Sequence, residues 1–151
     1  MEHPKRIGDR TALAVMLALT DAGYTVSVPF GKNARYDLVD DRGSGLSRAQ
    51  RKTGRLRNGA IRFATASTYG HLPSPRETRR SYRGEIDLFG VFCPETRDVS
   101  LVPIADVPTR TGAYLRVQPP GNAQRKRVRF AADYRVATIE SVLRCVEAPD
   151  D

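Results

Sequence analysis

The chain has few of the residues from which metal centres, disulfide frameworks and membrane spans are built. Its 151 residues include two cysteines, two histidines and no tryptophan. Cys93 and Cys145 are too few for a disulfide framework and lack the spacing of a zinc site, and His3 and His71 cannot form a histidine-rich site. The longest apolar run, Ala12 to Leu19, is far too short to span a bilayer.

Signals for export and for nucleotide binding are also missing. The first residues, Met1 to Arg6, are charged and lead into a helix without a small-residue cleavage site, so no secretory signal peptide is expected. We therefore predict residence in the reducing cytoplasm, with no membrane partner. Neither a Walker loop nor a dinucleotide-binding glycine loop occurs. The length fits a single domain over residues 1–151, because domains of about 100–150 residues are the commonest.

Acidic residues are scarce where basic residues gather. The chain carries 25 Lys and Arg against 17 Asp and Glu, which leaves a net charge of +8. Between Arg42 and Arg83, eleven basic residues stand against Glu77 alone, which leaves +10 in that window. A second cluster, Arg125-Lys126-Arg127, has no acid beside it. Arginine binds phosphate through two parallel hydrogen bonds, so nucleic acid is the predicted partner, with a solvated basic face as the alternative.

Hydrophobic patterning predicts one long helix, a series of strands and a late helix. Gly8-Asp9-Arg10-Thr11 opens the first helix, with Asp9 at its N-terminus and Gly23 beyond its C-terminus. Residues 66–84, rich in Gly, Pro and Arg, are predicted to form a basic surface loop, and a short acidic tail ends the chain. The predicted strands are Tyr24–Phe30, Tyr36–Val39, Leu46–Thr53, Ile61–Thr65, Ile86–Cys93, Val99–Ile104 and Tyr114–Val117, and the late helix is Thr138–Val146. This order predicts an α/β (α+β) fold with Ile86–Cys93 as the central strand.

Three polar residues around one predicted hairpin form a candidate catalytic site. Asp37 lies on a short strand, and Gln50 and Lys52 follow on the next strand, after a glycine-rich turn. Side chains two residues apart on a strand share a face, so the hairpin can bring all three together. A carboxylate and an amide oxygen suit Mg²⁺, which polarises a phosphoryl oxygen and lowers the pKa of a water. The lysine can hold that water or stabilise the developing charge.

Each of these residues also has a structural interpretation. Asp37 can cap the turn or pair with Arg35, Gln50 can be an ordinary exposed strand residue, and Lys52 can be one more phosphate contact. An Asp followed thirteen positions later by Gln-x-Lys arises often by chance. The spacing by itself therefore leaves the chemistry open.

Seven short blocks of sequence are spread in order along nearly the whole chain. They are Gly8–Thr11, Val28–Gly31, Arg35–Val39, Gln50–Arg55, Tyr82–Asp87, Leu101–Ile104 and Ala113–Val117. Together they resemble the PD-(D/E)XK endonucleases associated with group I introns. The resemblance implies a restriction-endonuclease-like core, in which an N-terminal helix precedes a mixed β-sheet flanked by helices. It also implies cleavage of double-stranded DNA with Mg²⁺, or Mn²⁺ in its place, by a homodimer or homotetramer.

The resemblance implies a role for each residue of the candidate site. Asp37 matches the metal-binding acid, Gln50 takes the place usually held by Asp or Glu, and Lys52 matches the catalytic lysine. The backbone carbonyl of Arg51 would be a further metal contact. The basic residues predicted to contact DNA are Arg48, Arg55, Arg57, Arg76, Arg79, Arg80, Arg83, Arg125, Lys126 and Arg127.

Three positions depart from the family's pattern. Ala12 stands where the family carries a metal-binding Glu on its first helix, Arg51 where a small or apolar residue is usual, and Asp40 where an apolar strand residue is expected. A buried guanidinium without a partner is costly, so we expect Arg51 to reach solvent, pair with a carboxylate or lie at the sheet edge. Two alternatives to a nuclease stay open: a DNA-binding protein with a decayed nuclease centre, and an unrelated basic RNA-binding domain.

Overall fold

The computed structural model of the chain describes residues 2–31, 33–69, 78–122 and 128–138. Its helices are α1 (Pro4–Asp21) and α2 (Ala131–Tyr134). Its strands are β1 (Thr25–Ser27), β2 (Leu38–Asp41), β3 (Leu46–Thr53), β4 (Arg55–Arg57), β5 (Ala60–Ala64), β6 (Ala66–Tyr69), β7 (Thr78–Ser81), β8 (Leu88–Cys93), β9 (Asp98–Pro103), β10 (Gly112–Arg116) and β11 (Arg135–Thr138). A short 3-10 turn, Ile104–Asp106, follows β9.

Helix α1 begins earlier than the sequence predicts. The His3 imidazole caps it by accepting the Lys5 backbone N–H at 3.2 Å, and Pro4 occupies the first turn, where no N–H is needed. Asp9 therefore lies inside the helix, and the prediction that it marks the N-terminus is wrong. The predicted end agrees, because Gly23 has φ of 92°, a left-handed conformation that favours glycine. Among the described helices, none is long and apolar enough to cross a membrane.

A six-stranded mixed sheet forms the centre of the fold. Its strand order is β1-β2-β3-β8-β9-β11, with β3 and β8 parallel and all other neighbours antiparallel. All six residues of β8 are buried, which confirms the sequence prediction of a central strand here. An N-terminal helix followed by a mixed sheet confirms the predicted α/β (α+β) class.

Helix α1 covers one face of this sheet. Val15 and Leu19 of the helix pack there with Leu38 of β2 and Ala49 of β3. Gly90 of β8 permits the close approach, because a Cβ at this position would lie 2.8 Å from Cγ1 of Val15. The face of β3 that carries Ala49 is therefore the helix face.

A three-stranded sheet of order β10-β5-β4 packs on the opposite face of β8. Phe63 of β5 meets Phe89 of β8 edge-on, with 5.8 Å between the ring centroids. The ring of Tyr82 meets Phe89 at the same distance, and all three rings are buried. In the described part of the chain, the central sheet is thus covered by a helix on one side and by strands on the other.

Residues 66–84 contain two strands where the sequence predicts a surface loop. Strands β6 and β7 pair antiparallel, while their connection, residues 70–77, lies outside the described residues. Tyr82, directly after β7, is buried in the core. The prediction of a basic loop is therefore wrong at both ends of this segment. The sequence did not predict this hairpin because its two strands are short, and because arginines and the Gly and Pro residues of the connection are typical of a loop.

The predicted late helix is wrong at its first residue. Thr138 ends β11, which pairs with β9, and the β-branched residues Val136 and Thr138 favour a strand. Residues 139–151, with the rest of the predicted helix and the acidic tail, lie outside the described residues.

The unexpected acid of β2 is held by a neighbouring arginine. Asp40 is fully buried, and its Oδ2 accepts hydrogen bonds from Nε and Nη2 of Arg42 at 3.2 and 3.1 Å. The Arg42 guanidinium also lies 4.8 Å from the ring centroid of Tyr24. An ion pair beneath an aromatic ring thus fills a position where an apolar residue was expected.

Candidate functional site

Strand β3 has an open edge where β2 stops short. The first residue of β2, Leu38, pairs with Ala49, so the second half of β3 extends past the start of β2. Asp37 lies at this point, and its backbone N–H donates to the Ala49 carbonyl at 2.8 Å. Its carboxylate oxygen Oδ2 accepts the backbone N–H of Arg51 at 3.0 Å. The Asp37 carboxylate is thereby held against the part of β3 that follows Ala49.

Alternation along β3 divides its side chains between two faces. Ala49 packs against α1, whereas Nζ of Lys52 lies 3.2 Å from the hydroxyl of Tyr82, which belongs to the core on the other face. Gln50 shares the Lys52 face because it lies two residues away on the same strand. The structure therefore places Gln50 and Lys52 on one face, along the edge that Asp37 borders.

The Arg51 side chain lies on the helix face and pairs with Asp37. Its Nη1 is 3.9 Å from Oδ1 of Asp37, and its Nη2 is 3.8 Å from the place that a Cβ on Gly8 would take. The side chain is 37% exposed. Both a carboxylate partner and partial solvation, two of the expected outcomes, are realised, so no uncompensated charge is buried.

The oxygen atoms at this edge fit a hard divalent cation. Within the described residues, Oδ2 of Asp37 accepts one N–H and Oδ1 faces only the Arg51 guanidinium, at a distance longer than a hydrogen bond. The Arg51 carbonyl points to the same edge as its N–H, because both groups of a strand residue point the same way. The side chain of Gln50, on the same stretch of β3, can add a neutral amide oxygen. Carboxylate, carbonyl and water oxygens are the ligands that Mg²⁺ prefers.

The candidate site contains a single carboxylate. Among residues that the structure describes, no three His, Cys, Asp or Glu side chains gather closely enough to hold a metal ion. Ala12 of α1 offers no ligand atom where the family's pattern has Glu. A Mg²⁺ ion here would therefore rest on Asp37, neutral oxygens and water, a set that this ion accepts because it keeps several waters.

A second acid–arginine pair lies at the other end of β3. Asp87, directly before β8, accepts the Arg48 backbone N–H at 2.8 Å and Nε of Arg48 at 3.3 Å. The Arg48 carbonyl in turn accepts the Asp87 N–H at 2.9 Å. The side-chain and backbone hydrogen bonds from Arg48 lower the pKa of the Asp87 carboxyl against a smaller opposing effect of burial. Arg48, a predicted DNA contact, is thus also a structural partner.

Two more of the predicted DNA contacts surround the turn between β7 and β8. Nη2 of Arg80 donates to Oε1 of Glu85 at 2.7 Å, and Nε of Arg83 donates to the Thr109 hydroxyl at 3.0 Å. Arg48 reaches the same turn by donating to a backbone carbonyl at 3.3 Å. Three arginines from separate strands and loops therefore gather around this turn.

The remaining predicted DNA contacts are two residues of β4, one residue of β7 and four residues outside the described part of the chain. Arg55 pairs with Glu95 at 3.6 Å and lines a cleft of about 490 Å³ beside Leu13 of α1 and Phe92. Asp37, Gln50 and Lys52 do not line this cleft, so it is separate from the candidate site. Arg57 is exposed at the end of β4, Arg79 lies in β7, and Arg76, Arg125, Lys126 and Arg127 are outside the described residues.

Arg35 and Tyr82 lie beside the candidate site, and the sequence predicted no role for either of them in it. The Arg35 guanidinium forms an ion pair with Glu85 rather than with Asp37, so the Arg35–Asp37 pair considered from the sequence does not form. Burial acts to raise the pKa of the Glu85 carboxyl, but hydrogen bonds and charge from Arg80 and Arg35 outweigh it and leave that pKa below its ordinary value. Both residues lie inside the sequence blocks that carry the family resemblance, which was the available signal.

A solved structure shares the fold over its full length. The match covers 99% of this chain and 100% of a chain described as "The structure of a bacterial homing endonuclease: I-Ssp6803I", with a TM-score of 0.72 and 18% sequence identity. This likeness confirms the predicted restriction-endonuclease-like core. Among curated protein sequences, none matches the chain.

A family model confirms the resemblance that the sequence blocks suggest. The model described as "PD-(D/E)XK endonuclease" matches residues 2–137 of the 151. The matched region contains α1, the whole of β3 and all three residues of the candidate catalytic site. Because the match spans most of its length, the chain belongs to the PD-(D/E)XK endonuclease family.

Proposed function

We propose that this protein is a metal-dependent endonuclease that hydrolyses phosphodiester bonds in double-stranded DNA, in the manner of a homing endonuclease. The observation that carries the proposal is the hydrogen bond from the Arg51 N–H to the Asp37 carboxylate. This contact holds an acid at the open edge of β3, beside the stretch that carries Gln50 and Lys52. Family membership supplies the reaction class, and this geometry supplies the candidate residues.

The proposed metal ligands are Oδ1 of Asp37, the amide oxygen of Gln50 and the backbone carbonyl of Arg51. Mg²⁺ is the proposed ion, and Mn²⁺ the substitute, because all three ligands are oxygens. When bound, the ion would polarise a phosphoryl oxygen and lower the pKa of a water. Lys52 has the complementary role, since its ammonium can hold the attacking water or stabilise negative charge at the phosphate.

The proposed DNA-binding surface centres on the arginines around the turn between β7 and β8. Arg48, Arg80 and Arg83 are oriented there by hydrogen bonds to protein partners, and an arginine guanidinium can bind phosphate through two parallel hydrogen bonds. The other basic residues predicted from the sequence extend this surface in the proposal: Arg55, Arg57, Arg76, Arg79, Arg125, Lys126 and Arg127. Binding that depends on phosphate contacts weakens steeply as salt is raised.

Cleavage of a supercoiled plasmid library with Mg²⁺ or Mn²⁺ tests the proposed activity. We expect the wild-type protein to cut with either ion and to stop cutting when the metal is chelated. Salt-dependent duplex binding without any cleavage would overturn the enzyme proposal in favour of a decayed nuclease centre. Preference for structured RNA over duplex DNA in a competition assay would overturn it in favour of an RNA-binding domain.

Two strands of a duplex must be cut, so we propose a homodimer or homotetramer that brings at least two centres to one site. Light scattering at micromolar concentration, with and without DNA, tests this assembly. A monomer under both conditions would overturn it.

A further inference from the structure

The hydroxyl of Tyr82 is a hydrogen-bond partner of the Lys52 ammonium. Nζ of Lys52 lies 3.2 Å from that hydroxyl and 4.8 Å from the ring centroid. Tyr82 is only 4% exposed, and its ring stands edge-on to Phe89 with an interplanar angle of 87°. A buried ring that cannot shift makes a fixed acceptor for the end of a long, flexible side chain.

A cation–π contact with Arg35 also helps to fix the Tyr82 ring. The Arg35 guanidinium carbon lies 4.1 Å from the ring centroid. Arg35 is itself held, because Nη1 donates to the Ser67 hydroxyl at 2.8 Å and Nη2 donates to the Ser81 carbonyl at 3.1 Å, while Glu85 neutralises its charge. The β6–β7 hairpin, the segment before Asp37 and the Tyr82 ring are thus tied into one unit.

This arrangement holds the Lys52 ammonium in position without occupying all of its N–H donors. A free lysine side chain loses rotamer entropy when it is fixed, and a preformed contact removes that cost from the reaction. An ammonium has three N–H donors, and the Tyr82 hydroxyl accepts one of them. Among the residues that the structure describes, no second acceptor for this ammonium is found, so two donors remain there for a phosphate oxygen or a water. An ion pair with a carboxylate would compete with the phosphate far more strongly than a neutral hydroxyl does.

We propose that Tyr82 is a positioning residue for Lys52, acting through the hydroxyl that holds the ammonium at the open edge of β3. The inference rests on the proposed function, because it assigns Tyr82 to the same centre. Tyr82 touches neither metal nor phosphate in this proposal and acts only through Lys52.

The Tyr82→Phe variant tests this role, since it removes the hydroxyl and keeps the ring. We expect single-turnover cleavage at saturating DNA to slow about tenfold, as for loss of other supporting hydrogen bonds. The dissociation constant for duplex DNA, measured with Ca²⁺ in place of Mg²⁺, should stay unchanged. Tyr114→Phe is the matched control, because Tyr114 lies on β10 with 54% exposure and the same hydroxyl is removed. Equal rates for Tyr82→Phe and Tyr114→Phe would overturn the proposal.

A double-mutant cycle separates positioning from a general structural effect. If Tyr82 acts through Lys52, adding Tyr82→Phe to Lys52→Ala leaves the residual cleavage rate unchanged. If instead the two losses multiply, Tyr82 acts by another route and the proposal fails.

Chemical labelling of lysine gives a readout that needs no cleavage. Acetylation by acetic anhydride, followed by mass spectrometry, reports the reactivity of Lys52 relative to exposed Lys5 on α1. Loss of the hydrogen bond in Tyr82→Phe should raise this ratio about threefold or more. An unchanged ratio overturns the positioning contact. Wild-type protein that leaves DNA uncut overturns the proposed function, and the labelling ratio then still decides whether Tyr82 holds Lys52.

Discussion

Each half of β3 carries an arginine beside an acid that immediately precedes a neighbouring strand, yet the two pairs differ in kind. At the first end, Asp87 accepts hydrogen bonds from both the backbone and the side chain of Arg48 and returns one through its own N–H. At the open edge, Asp37 accepts one backbone N–H of Arg51, whose guanidinium stays 3.9 Å away. The first pair is closed and the second is open.

This difference supports the proposal that Asp37, and not Asp87, binds the metal ion. A carboxylate whose oxygens are already hydrogen-bonded loses those bonds if it binds an ion, and Asp87 is in that position. Asp37 is oriented through Oδ2 and keeps Oδ1 for a ligand. The hydrogen bonds from Arg48 lower the pKa of the Asp87 carboxyl, so this shift follows from a closed ion pair, although perturbed pKa values often mark functional sites.

The largest expected effect comes from exchanging each acid for its amide. Asp37→Asn should reduce Mg²⁺-dependent cleavage by at least about 100-fold, because the proposed centre has no second carboxylate to hold the ion. Asp87→Asn, the matched control, should change cleavage by less than about threefold. Plasmid nicking rates compare the two variants directly. Similar losses in both would mean that the open and closed pairs do not differ in function.

A smaller effect is expected from removing the positive charge beside Asp37. Arg51→Leu should tighten Mn²⁺ binding about fivefold, since a partly exposed ion pair contributes up to about 1 kcal/mol and the guanidinium competes with the cation. Isothermal titration calorimetry measures this affinity. Arg48→Leu, at the closed pair, should leave it unchanged. Weaker Mn²⁺ binding in Arg51→Leu would show that the guanidinium supports the site instead of competing for it.

The smallest effect concerns stability and its pH dependence. The pKa of Asp87 is lowered in the folded chain, so its contribution is present above the ordinary aspartate pKa and is lost as pH falls through the folded value. Because Asp87 is 45% exposed, solvent screening limits that contribution to about 1 kcal/mol. Urea unfolding of wild type and Asp87→Asn should differ at pH 7 and converge below about pH 4. A difference that persists in acid would assign the effect to something other than this charge.

Several elements could be predicted from the sequence because local patterns decide them. Strand β3 occupies the predicted residues Leu46–Thr53, where turn-forming residues bound a run compatible with a strand. The buried strand β8 follows from its continuous apolar run. The start of α1 could not be placed from Asp9, since His3 and Pro4 supply a competing start signal.

Other features escaped prediction because distant contacts decide them. The β6–β7 hairpin is held by a hydrogen bond from Arg35 to the Ser67 hydroxyl of β6, although the two residues are 32 positions apart in the chain. Burial of Tyr82 depends on packing against Phe89 of the central strand. Neither contact can be predicted from the local sequence, in which the high density of arginine favours a loop.

The amino-acid order alone determined that Gln50 and Lys52 share one face of a strand, since side chains on a strand alternate whatever surrounds them. It also determined the basic character that makes nucleic acid the expected partner. Only the tertiary structure decided that the Arg48 side chain donates hydrogen bonds to Asp87, whereas the Arg51 guanidinium stays 3.9 Å from Asp37. It also decided that the Lys52 ammonium donates to the Tyr82 hydroxyl. Partner choice among many arginines and few acids depends on distances between residues far apart in the chain, and only the folded sheet sets those distances.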